Sequence, residues 1–382
     1  MKKIGVITHY FGSKNYGGLL QAYALCKFLN ERGCYAEQIS YDSSYKKSNK
    51  SLRLLSINEI KDRIKSIIAP VCYKFSDYKI KSSLLQREKA ISIFRTAIPH
   101  SKTIYNDITI EKSNEEYDIF ITGSDQVWNI DWYHPPYFLD FVSPKNKKIS
   151  YAASISKERL TMSQISLFKR SLSDYNAISV REESSVALLE NVIKMPITYC
   201  LDPTLLLSEF QWNDICSKCL CQEDYIFCYF LGKNLVARKL AMEYAIRHNL
   251  KIITLPHLSG HYRRCDAGFG DIQLYDISPG QFISLVRYSK FVFTDSFHAI
   301  VFSHIYKREF VVFSRNAISP MNTRISCITK LFHTEDRYCD TEEKLSIAYI
   351  ESLEKIDYSK NQIDYIKKRE ESISFIDDVL NL

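Results

Sequence analysis

The sequence predicts an α/β protein of two Rossmann-like, doubly wound domains, each built on a parallel sheet, that face each other across a cleft. Apolar runs typical of buried strands alternate with helical patterns in both halves of the chain. The length of 382 residues exceeds one usual hydrophobic core and indicates two domains. A polar, helix-like stretch from Ser208 to Gln222 provides a connection. We therefore expect domains at 1–207 and 208–360, and a helix at 361–382 that crosses back to the first domain.

The first half opens with a strand and a long helix. Lys3 to Tyr10 has the apolar pattern of a strand, and a helix from about Leu19 is closed by Gly33. The loop between them, Phe11 to Gly18, is rich in glycine, which either lets backbone amides approach a phosphate or simply permits a tight turn. Further strands are expected at Tyr35–Tyr41, Tyr117–Thr122, Lys148–Ala153, Asn176–Val180 and Ile197–Cys200.

The second half repeats this alternation. Ser278-Pro279 is typical of a helix start, because proline at the first helical position has no amide hydrogen to leave unpaired. The last forty residues have an amphipathic helical pattern. Strands are expected at Tyr225–Leu231, Lys251–Leu255, Phe291–Phe293 and Glu309–Phe313.

The strand at Phe291–Phe293 is the centre of this half. It changes abruptly to Thr294-Asp295-Ser296, which favours a helix N-cap, and a helical run follows from Ala299 to Tyr306. His298 then lies in the first turn, facing the crevice where open α/β sheets bind ligands. The alternative is that Asp295 or Ser296 only caps the helix and that His298 is an ordinary surface or core histidine.

Composition excludes several classes of protein. Hydrophobic residues make up 46% and charged residues 25%, as in ordinary soluble globular proteins, and no apolar run is long enough to span a membrane. The N-terminus lacks the pattern of a signal peptide, and eleven irregularly placed cysteines are typical of reduced intracellular thiols. We therefore predict a cytoplasmic protein. The spacing of Cys216, Cys219 and Cys221 resembles half a metal site, but no second pair follows, so we predict no metal.

Positive charge is concentrated between Ser43 and His100, where thirteen Lys or Arg residues face four acidic ones, although the whole chain carries only +7. Isoleucines recur there at helical spacing. We predict a basic helical insertion at about 43–100. Such a segment either lies on an anionic membrane surface, which would place the protein peripherally at the inner face of the membrane, or is a solvated face of a packed helix. No nucleic-acid-binding module accompanies the charge, so we expect no nucleic-acid partner.

Five motifs, in order along the chain, resemble those of the polysaccharide pyruvyl transferase family. Each is weak alone, and their order makes the resemblance specific. They are Asn15-Tyr16-Gly17-Gly18-Leu19-Leu20-Gln21-Ala22-Tyr23-Ala24-Leu25, Gly123-Ser124-Asp125-Gln126-Val127-Trp128-Asn129, Ser179-Val180-Arg181-Glu182, Leu201-Asp202-Pro203-Thr204 and Thr294-Asp295-Ser296-Phe297-His298. The matched region runs from the first strand to about Arg324.

This resemblance implies a GT-B-like fold and a transferase that needs no cofactor. The donor would be phosphoenolpyruvate, whose enolpyruvyl unit passes to two hydroxyls of a sugar to give a pyruvate ketal and free phosphate. The acceptor would be a precursor of a surface or capsular polysaccharide, as a lipid-linked oligosaccharide. A basic segment that docks on an anionic membrane would suit such a carrier.

The resemblance also implies residue roles. His298 matches the catalytic histidine of the family, and Arg181 matches the motif arginine that would hold phosphoenolpyruvate. Some members have a basic residue two positions before the histidine, where this chain has Ser296. Three nearby cations are candidates to replace it, with Arg324 preferred: Lys307, Arg315 and Arg324.

The remaining candidates follow from chemistry. Histidine suits general acid–base catalysis because its ordinary pKa is near neutrality. The alternative role of His298 is to bind the phosphate as a cation. Asp295 would orient His298 or serve as a second base, or it would only cap the helix. Backbone amides at Ser296 and in the Gly17-Gly18 turn would contact the donor phosphate. Polar or aromatic side chains suited to a sugar acceptor are Asn15, Asp125, Gln126, Trp128 and Asn129, with Trp128 equally suited to the core.

Two other functions remain open at this point. A glycosyltransferase that uses a nucleotide sugar would share the GT-B-like architecture, because fold alone does not determine function. A non-enzymatic carbohydrate-binding or membrane-binding scaffold could also retain the fold, and Ser296 in place of a basic residue is compatible with it.

Overall fold

A computed structural model describes residues 1–44, 78–257, 263–315 and 321–381. Most of the predicted basic insertion, residues 45–77, therefore lies outside the described residues. Two parallel sheets form the two domains, as predicted. Among the described residues, no helix is long and apolar enough to cross a bilayer.

The first sheet has seven parallel strands in the order β3-β2-β1-β4-β5-β6-β7. The order reverses between β1 and β4, and such a switch point opens a crevice at the carboxyl ends of the strands. The strands are β1 (Lys3–Ile7), β2 (Tyr35–Tyr41), β3 (His100–Tyr105), β4 (Ile119–Thr122), β5 (Lys147–Ala153), β6 (Ala177–Val180) and β7 (Ile197–Tyr199).

The second sheet has six parallel strands in the order β10-β9-β8-β11-β12-β13, with its own switch point between β8 and β11. Its central strands are buried along their whole length, which is why they appear in the sequence as continuous apolar runs. The strands are β8 (Tyr225–Tyr229), β9 (Lys251–Thr254), β10 (Ile272–Gln273), β11 (Phe291–Thr294), β12 (Glu309–Phe313) and β13 (Tyr338–Cys339).

Helices cover both sheets. Several begin with a reciprocal capping box, as at Ser278 with Gln281 and at Thr161 with Gln164. In the described part of the chain they are α1 (Tyr16–Glu31), α2 (Tyr78–Thr96), α3 (Met162–Ser171), α4 (Glu183–Glu190), α5 (Glu209–Asn213), α6 (Leu235–Arg247), α7 (Pro279–Arg287), α8 (Phe297–Ile305), α9 (Met321–Leu331), α10 (Ile347–Ser352) and α11 (Ile363–Leu380).

Three details differ from the sequence prediction. Helix α1 begins at Tyr16, so that Gly17 and Gly18 lie in its first turn and not in a loop, because the Asn15 side chain caps it. Three strands were not predicted: the exposed Lys102 and Thr103 interrupt the apolar pattern of β3, and β10 and β13 have only two residues each. The stretch from Ser208 to Gln222 is helical only in α5.

The last helix, α11, packs against the first sheet. The Leu201 amide donates to Ser372 Oγ at 3.0 Å, and Arg369 Nε donates to the Leu206 carbonyl at 3.1 Å. An ion pair of 3.1 Å joins Arg32 to Asp377. Helix α11 follows all the strands of the second sheet in the chain, so its contacts tie the two ends of the molecule together.

Candidate active site

A cavity of about 850 Å³ lies between the two domains, at the carboxyl ends of both sheets. The first domain contributes the start of α1, helix α2 and the loop after β4. The second domain contributes the loops after β8, β9 and β12, and the starts of α8 and α9. Predicted site residues on its wall are Asn15, Asp125, Gln126, Ser296, His298, Arg315 and Arg324.

His298 crosses the domain interface in the first turn of α8. Its side chain is 11% exposed, and its Nε2 has no hydrogen-bond partner. A Cβ built on Gly17 would overlap the imidazole at Nδ1, so the ring lies directly against the start of α1. Glycine at position 17 is therefore what allows the histidine of one domain to approach the backbone of the other.

Behind His298 lies a carboxylate that the sequence analysis did not select. Asp202 Oδ2 is 3.7 Å from His298 Nε2. Thr204 donates both its amide and its hydroxyl to Asp202 Oδ1, at 3.0 and 2.6 Å. Burial acts to raise the pKa of Asp202, but His298 and Arg181 outweigh it and hold the pKa below its ordinary value. Asp202 is therefore an anion at neutral pH, fixed next to the imidazole.

Arg181 organises the carboxylates and does not line the cavity, contrary to the expectation of a donor contact. Its side chain is 2% exposed, with Nη1 2.7 Å from Asp202 and Nη2 3.5 Å from Asp125. Nε is 3.5 Å from Glu182, and the guanidinium lies over the ring of Phe297. With three carboxylates around it, Arg181 has little capacity left for a substrate anion.

Arg324, in contrast, is buried on the cavity wall with its Nε unpartnered. Burial and the neighbouring Arg181 lower the pKa of Arg324 to about 10, so it is still charged at neutral pH. Burial opposes ionisation of Asp125, but Arg181, His298 and Arg324 hold the pKa of Asp125 below its ordinary value. Arg324 thus has both a charge and an unused donor to offer a ligand.

Asp295 is directed away from His298. Its two oxygens accept the amides of Leu231 and Gly232, at 2.6 and 2.7 Å, and Arg315 Nε donates to its carbonyl at 3.3 Å. Burial raises the pKa of Asp295. Asp295 therefore fixes the loop after β8 against the start of α8, and the carboxylate next to the histidine is Asp202.

Three other predicted contacts lie outside the cavity. The Trp128 ring is fully buried among Phe138, Phe168 and Tyr175, so it cannot stack on an acceptor sugar. The Asn129 side chain accepts the Asp131 amide in a local turn. Lys307 is exposed beyond the carboxyl end of α8, about one helix length from His298, so it cannot replace the basic residue absent at position 296.

The cavity also contains residues that the sequence analysis missed. Trp132 is 57% exposed on the wall, four positions after the tryptophan that was selected. His257 follows β9, and Arg87 projects from α2. Tryptophan four residues from a recognised motif was a usable signal, whereas neither Arg87 nor His257 lies in any of the five motifs.

Solved structures with a similar fold define the class of this protein. UDP-GlcNAc 2-epimerase from Methanocaldococcus jannaschii is 12% identical, with a TM-score of 0.52 over 98% of this chain and 99% of that one. A protein from Listeria monocytogenes described as a UDP-N-acetylglucosamine 2-epimerase is 11% identical, with a TM-score of 0.50 over 97% and 91%. At such identities the likeness establishes the fold alone, which is GT-B-like.

Within that class the chain belongs to the polysaccharide pyruvyl transferase family, whose model matches residues 15–316. The matched range contains all five motifs, as well as Asp202 and Arg315, whereas Arg324 lies beyond it. No curated protein matches the chain significantly in sequence.

Proposed function

We propose that this protein transfers an enolpyruvyl unit from phosphoenolpyruvate to two hydroxyls of a sugar, forming a pyruvate ketal and releasing phosphate. The sugar would belong to a precursor of a surface polysaccharide, such as a lipid-linked oligosaccharide, and the reaction would take place in the cytoplasm. One observation carries the proposal. His298 and Arg324, both buried, line one interdomain cavity in a chain of this family, and Arg324 has an unpartnered Nε.

Arg324, Arg315 and the start of α8 are the groups suited to the donor. Phosphoenolpyruvate carries a phosphate and a carboxylate, and a guanidinium can bind either by charge-assisted hydrogen bonds. The first amides of a helix have no partner within the helix, and the Ser296 side chain does not cap α8. Since Ser296 lines the cavity, this end of the helix can receive an anionic oxygen.

His298 would supply the proton that makes the donor reactive. Protonation of C3 of the enol leaves C2 electrophilic, a first sugar hydroxyl attacks C2, and the bond from C2 to the phosphate oxygen then breaks. A second hydroxyl attacks the same carbon to close the ketal. Of the two hydroxyl protons released, one balances the proton taken up at C3 and the other leaves with the phosphate.

Asp202 and Arg181 would position His298, the proposed general acid. Asp202 lies beside Nε2, so the proton would be delivered from Nδ1, the nitrogen at the start of α1. The same arrangement, a carboxylate on one ring nitrogen and the reaction at the other, orients catalytic histidines in hydrolases. Arg181 would keep Asp202 in place and in its ionised form.

The acceptor would bind on the first-domain side of the cavity. Gln126 is held there by a hydrogen bond from its Nε2 to Ser156 Oγ at 2.8 Å, and Asn15 lies at the start of α1. The half-exposed ring of Trp132 offers an apolar face for a sugar, the role that the sequence analysis gave to Trp128. Residues from both domains thus line the space between a bound donor and solvent.

The test is an incubation of the protein with phosphoenolpyruvate and a panel of galactosides and lipid-linked oligosaccharides. We expect release of phosphate and a gain of one pyruvate ketal in the acceptor, seen by mass spectrometry. His298→Ala should keep the thermal unfolding temperature and abolish both products. Unmodified acceptors across the panel, with stabilisation by nucleotide sugars and not by phosphoenolpyruvate, would favour a glycosyltransferase. Stabilisation by neither donor would favour a carbohydrate-binding or membrane-binding scaffold.

A further inference from the structure

A second group of arginine and histidine side chains lies at the cavity, remote in sequence from His298 and Arg324. Arg87 reaches it from α2 in the first domain, and His257 from the loop after β9 in the second. Arg263 lies close to His257, with its Nη1 donating to the Gly232 carbonyl at 3.2 Å. The mechanism proposed above uses none of these three residues.

Arg87 is the most unusual of them. It is only 7% exposed, its guanidinium lies over the ring of Tyr16 at 4.8 Å, and its Nε has no hydrogen-bond partner. In the described ranges, no carboxylate forms an ion pair with Arg87 or with Arg263. A buried cation without a counter-ion is costly, and a bound anion removes that cost.

The environment of His257 is positively charged. Burial lowers the pKa of His257 to about 4, with further lowering by Arg263, Arg87 and Arg315. His257 is therefore uncharged at neutral pH, and the positive charge near it comes from Arg263, Arg87 and Arg315. Repulsion among like charges is relieved when an anion binds between them.

Arg315 links the two groups, because its backbone lies against Gly232, whose carbonyl accepts the hydrogen bond from Arg263. The pKa of Arg324 responds to Arg181, Asp125, Glu182 and Arg315, whereas that of His257 responds to Arg263, Arg87 and Arg315. A cavity of 850 Å³ is near the upper end of the 300–1,000 Å³ that usually holds drug-sized ligands. Phosphoenolpyruvate has only ten heavy atoms and would fill a small part of it.

We infer that Arg87, His257 and Arg263 form a second anion-binding subsite, which holds a phosphate or diphosphate ester carried by the acceptor sugar. The assignment to the acceptor rests on the proposed function, because the donor already occupies His298 and Arg324 there. The subsite as such does not depend on it. An acceptor held by its phosphoryl group at this end of the cavity extends past Arg315 toward the reacting carbon.

The first experiment is calorimetric titration of pyrophosphate into the full-length protein, alone and with saturating phosphoenolpyruvate. Without an acceptor no turnover occurs. We expect both anions to bind together, and Arg87→Met to weaken pyrophosphate about ten-fold or more while leaving phosphoenolpyruvate unchanged. Arg324→Met should do the reverse. Lys89→Met is the matched control, since Lys89 is exposed on the same helix.

Two results would overturn the subsite: displacement of pyrophosphate by phosphoenolpyruvate one for one, or equal effects of the Arg87 and Lys89 substitutions. If Arg87→Met does not fold, as judged by circular dichroism, Arg263→Gln serves as the second variant with the same expectation. Binding of pyrophosphate that depends on Arg87, without any binding of phosphoenolpyruvate, would support the subsite and contradict the proposed function.

The second experiment identifies the source of the phosphoryl group. Galactose 1-phosphate and methyl galactoside are titrated separately, without phosphoenolpyruvate. We expect the phosphorylated sugar to bind at least ten-fold more tightly, and the difference to disappear in Arg87→Met. Equal affinities, or a difference that survives the substitution, would contradict binding of the acceptor through a phosphate.

Discussion

The imidazole of His298 occupies the space where a Cβ on Gly17 would lie, so that the start of α8 in the second domain contacts the start of α1 in the first. A side chain at position 17 would occupy the space of Nδ1. The adjacent Gly18 is different, because a Cβ there would meet its nearest atom at 3.5 Å, an ordinary van der Waals distance. The structure therefore predicts opposite effects for substitutions at these two neighbouring glycines.

Gly17→Ala should displace His298 and lower kcat/KM about 100-fold, the effect expected when a catalytic group moves by about 1 Å. Gly18→Ala should retain activity within a few-fold, although both substitutions add the same methyl group to the same helical turn. Steady-state kinetics of the two variants checks this, with thermal unfolding to confirm that both fold. Equal activities of the two variants would show that His298 does not depend on this contact.

Asp202→Asn should impair the reaction through His298. The substitution removes the charge next to Nε2, and since positioned proton transfer contributes about 10²–10⁴ in rate, a loss in kcat of that order is expected. It also leaves Arg181 with one fewer carboxylate, so the unfolding temperature should fall. A purely structural role would lower stability alone, whereas a role through His298 should also change the pH dependence of kcat. Glu183→Gln, at an exposed position near the site, is the control.

Arg324→Met should raise the KM for phosphoenolpyruvate. Loss of one charge-assisted contact costs about 1.5–3 kcal/mol, or roughly a 10- to 150-fold increase. The KM of the acceptor should change little, because the proposed mechanism assigns Arg324 to the donor. Lys330→Met is the matched control on the exposed face of α9. An increase limited to the acceptor KM would reverse the assignment of the two sides.

Substitution of Trp128 should affect stability, whereas substitution of Trp132 should affect acceptor binding. Trp128→Phe removes a buried hydrogen bond to the Tyr137 carbonyl and leaves a small void, at a cost of about 0.5–3 kcal/mol in the free energy of unfolding. Its acceptor KM should stay the same. Trp132→Ala should keep the unfolding free energy and raise the acceptor KM. Denaturant unfolding and initial rates measure both, and a change in acceptor KM for Trp128→Phe would contradict its place in the core.

The sequence was sufficient for the fold class and for those site residues that belong to contiguous motifs. Apolar runs located the buried strands of both sheets, and the motif ending at His298 placed the histidine in the first turn of α8. The motif Leu201-Asp202-Pro203-Thr204 was recognised too, but only the fold shows that its carboxylate faces His298, 96 positions later. Arg87 and His257 belong to no local pattern, because the cavity that unites them exists only when the two domains meet.

The sequence also could not show in which direction a side chain points. Arg181 and Asp295 carry suitable groups next to the cavity, yet one is surrounded by carboxylates and the other is bound to the loop after β8. A pattern of residue types places a residue near a site but does not show which partner its charged end has found. Trp128 and Trp132 show the same limit. They are four residues apart in the sequence, yet one lies in the core and the other on the cavity wall.

His304 provides a last prediction, on stability. It is buried in α8 with its ring stacked on Phe332, neither ring nitrogen has a hydrogen-bond partner, and burial lowers its pKa to about 3. In the unfolded chain the pKa of histidine is about 6.5, so between pH 6.5 and 3 the unfolded state binds more protons than the native state. Stability should therefore fall as pH decreases through this window, by up to about 1.4 kcal/mol per pH unit from this residue.

His304→Phe, which keeps the aromatic stack and cannot be protonated, should lose that part of the pH dependence. The difference in unfolding free energy between the variant and the original protein should widen from pH 6.5 to pH 4 in denaturant titrations. Parallel curves for His304→Phe would mean that His304 is protonated in the native core, which would require a counter-charge there.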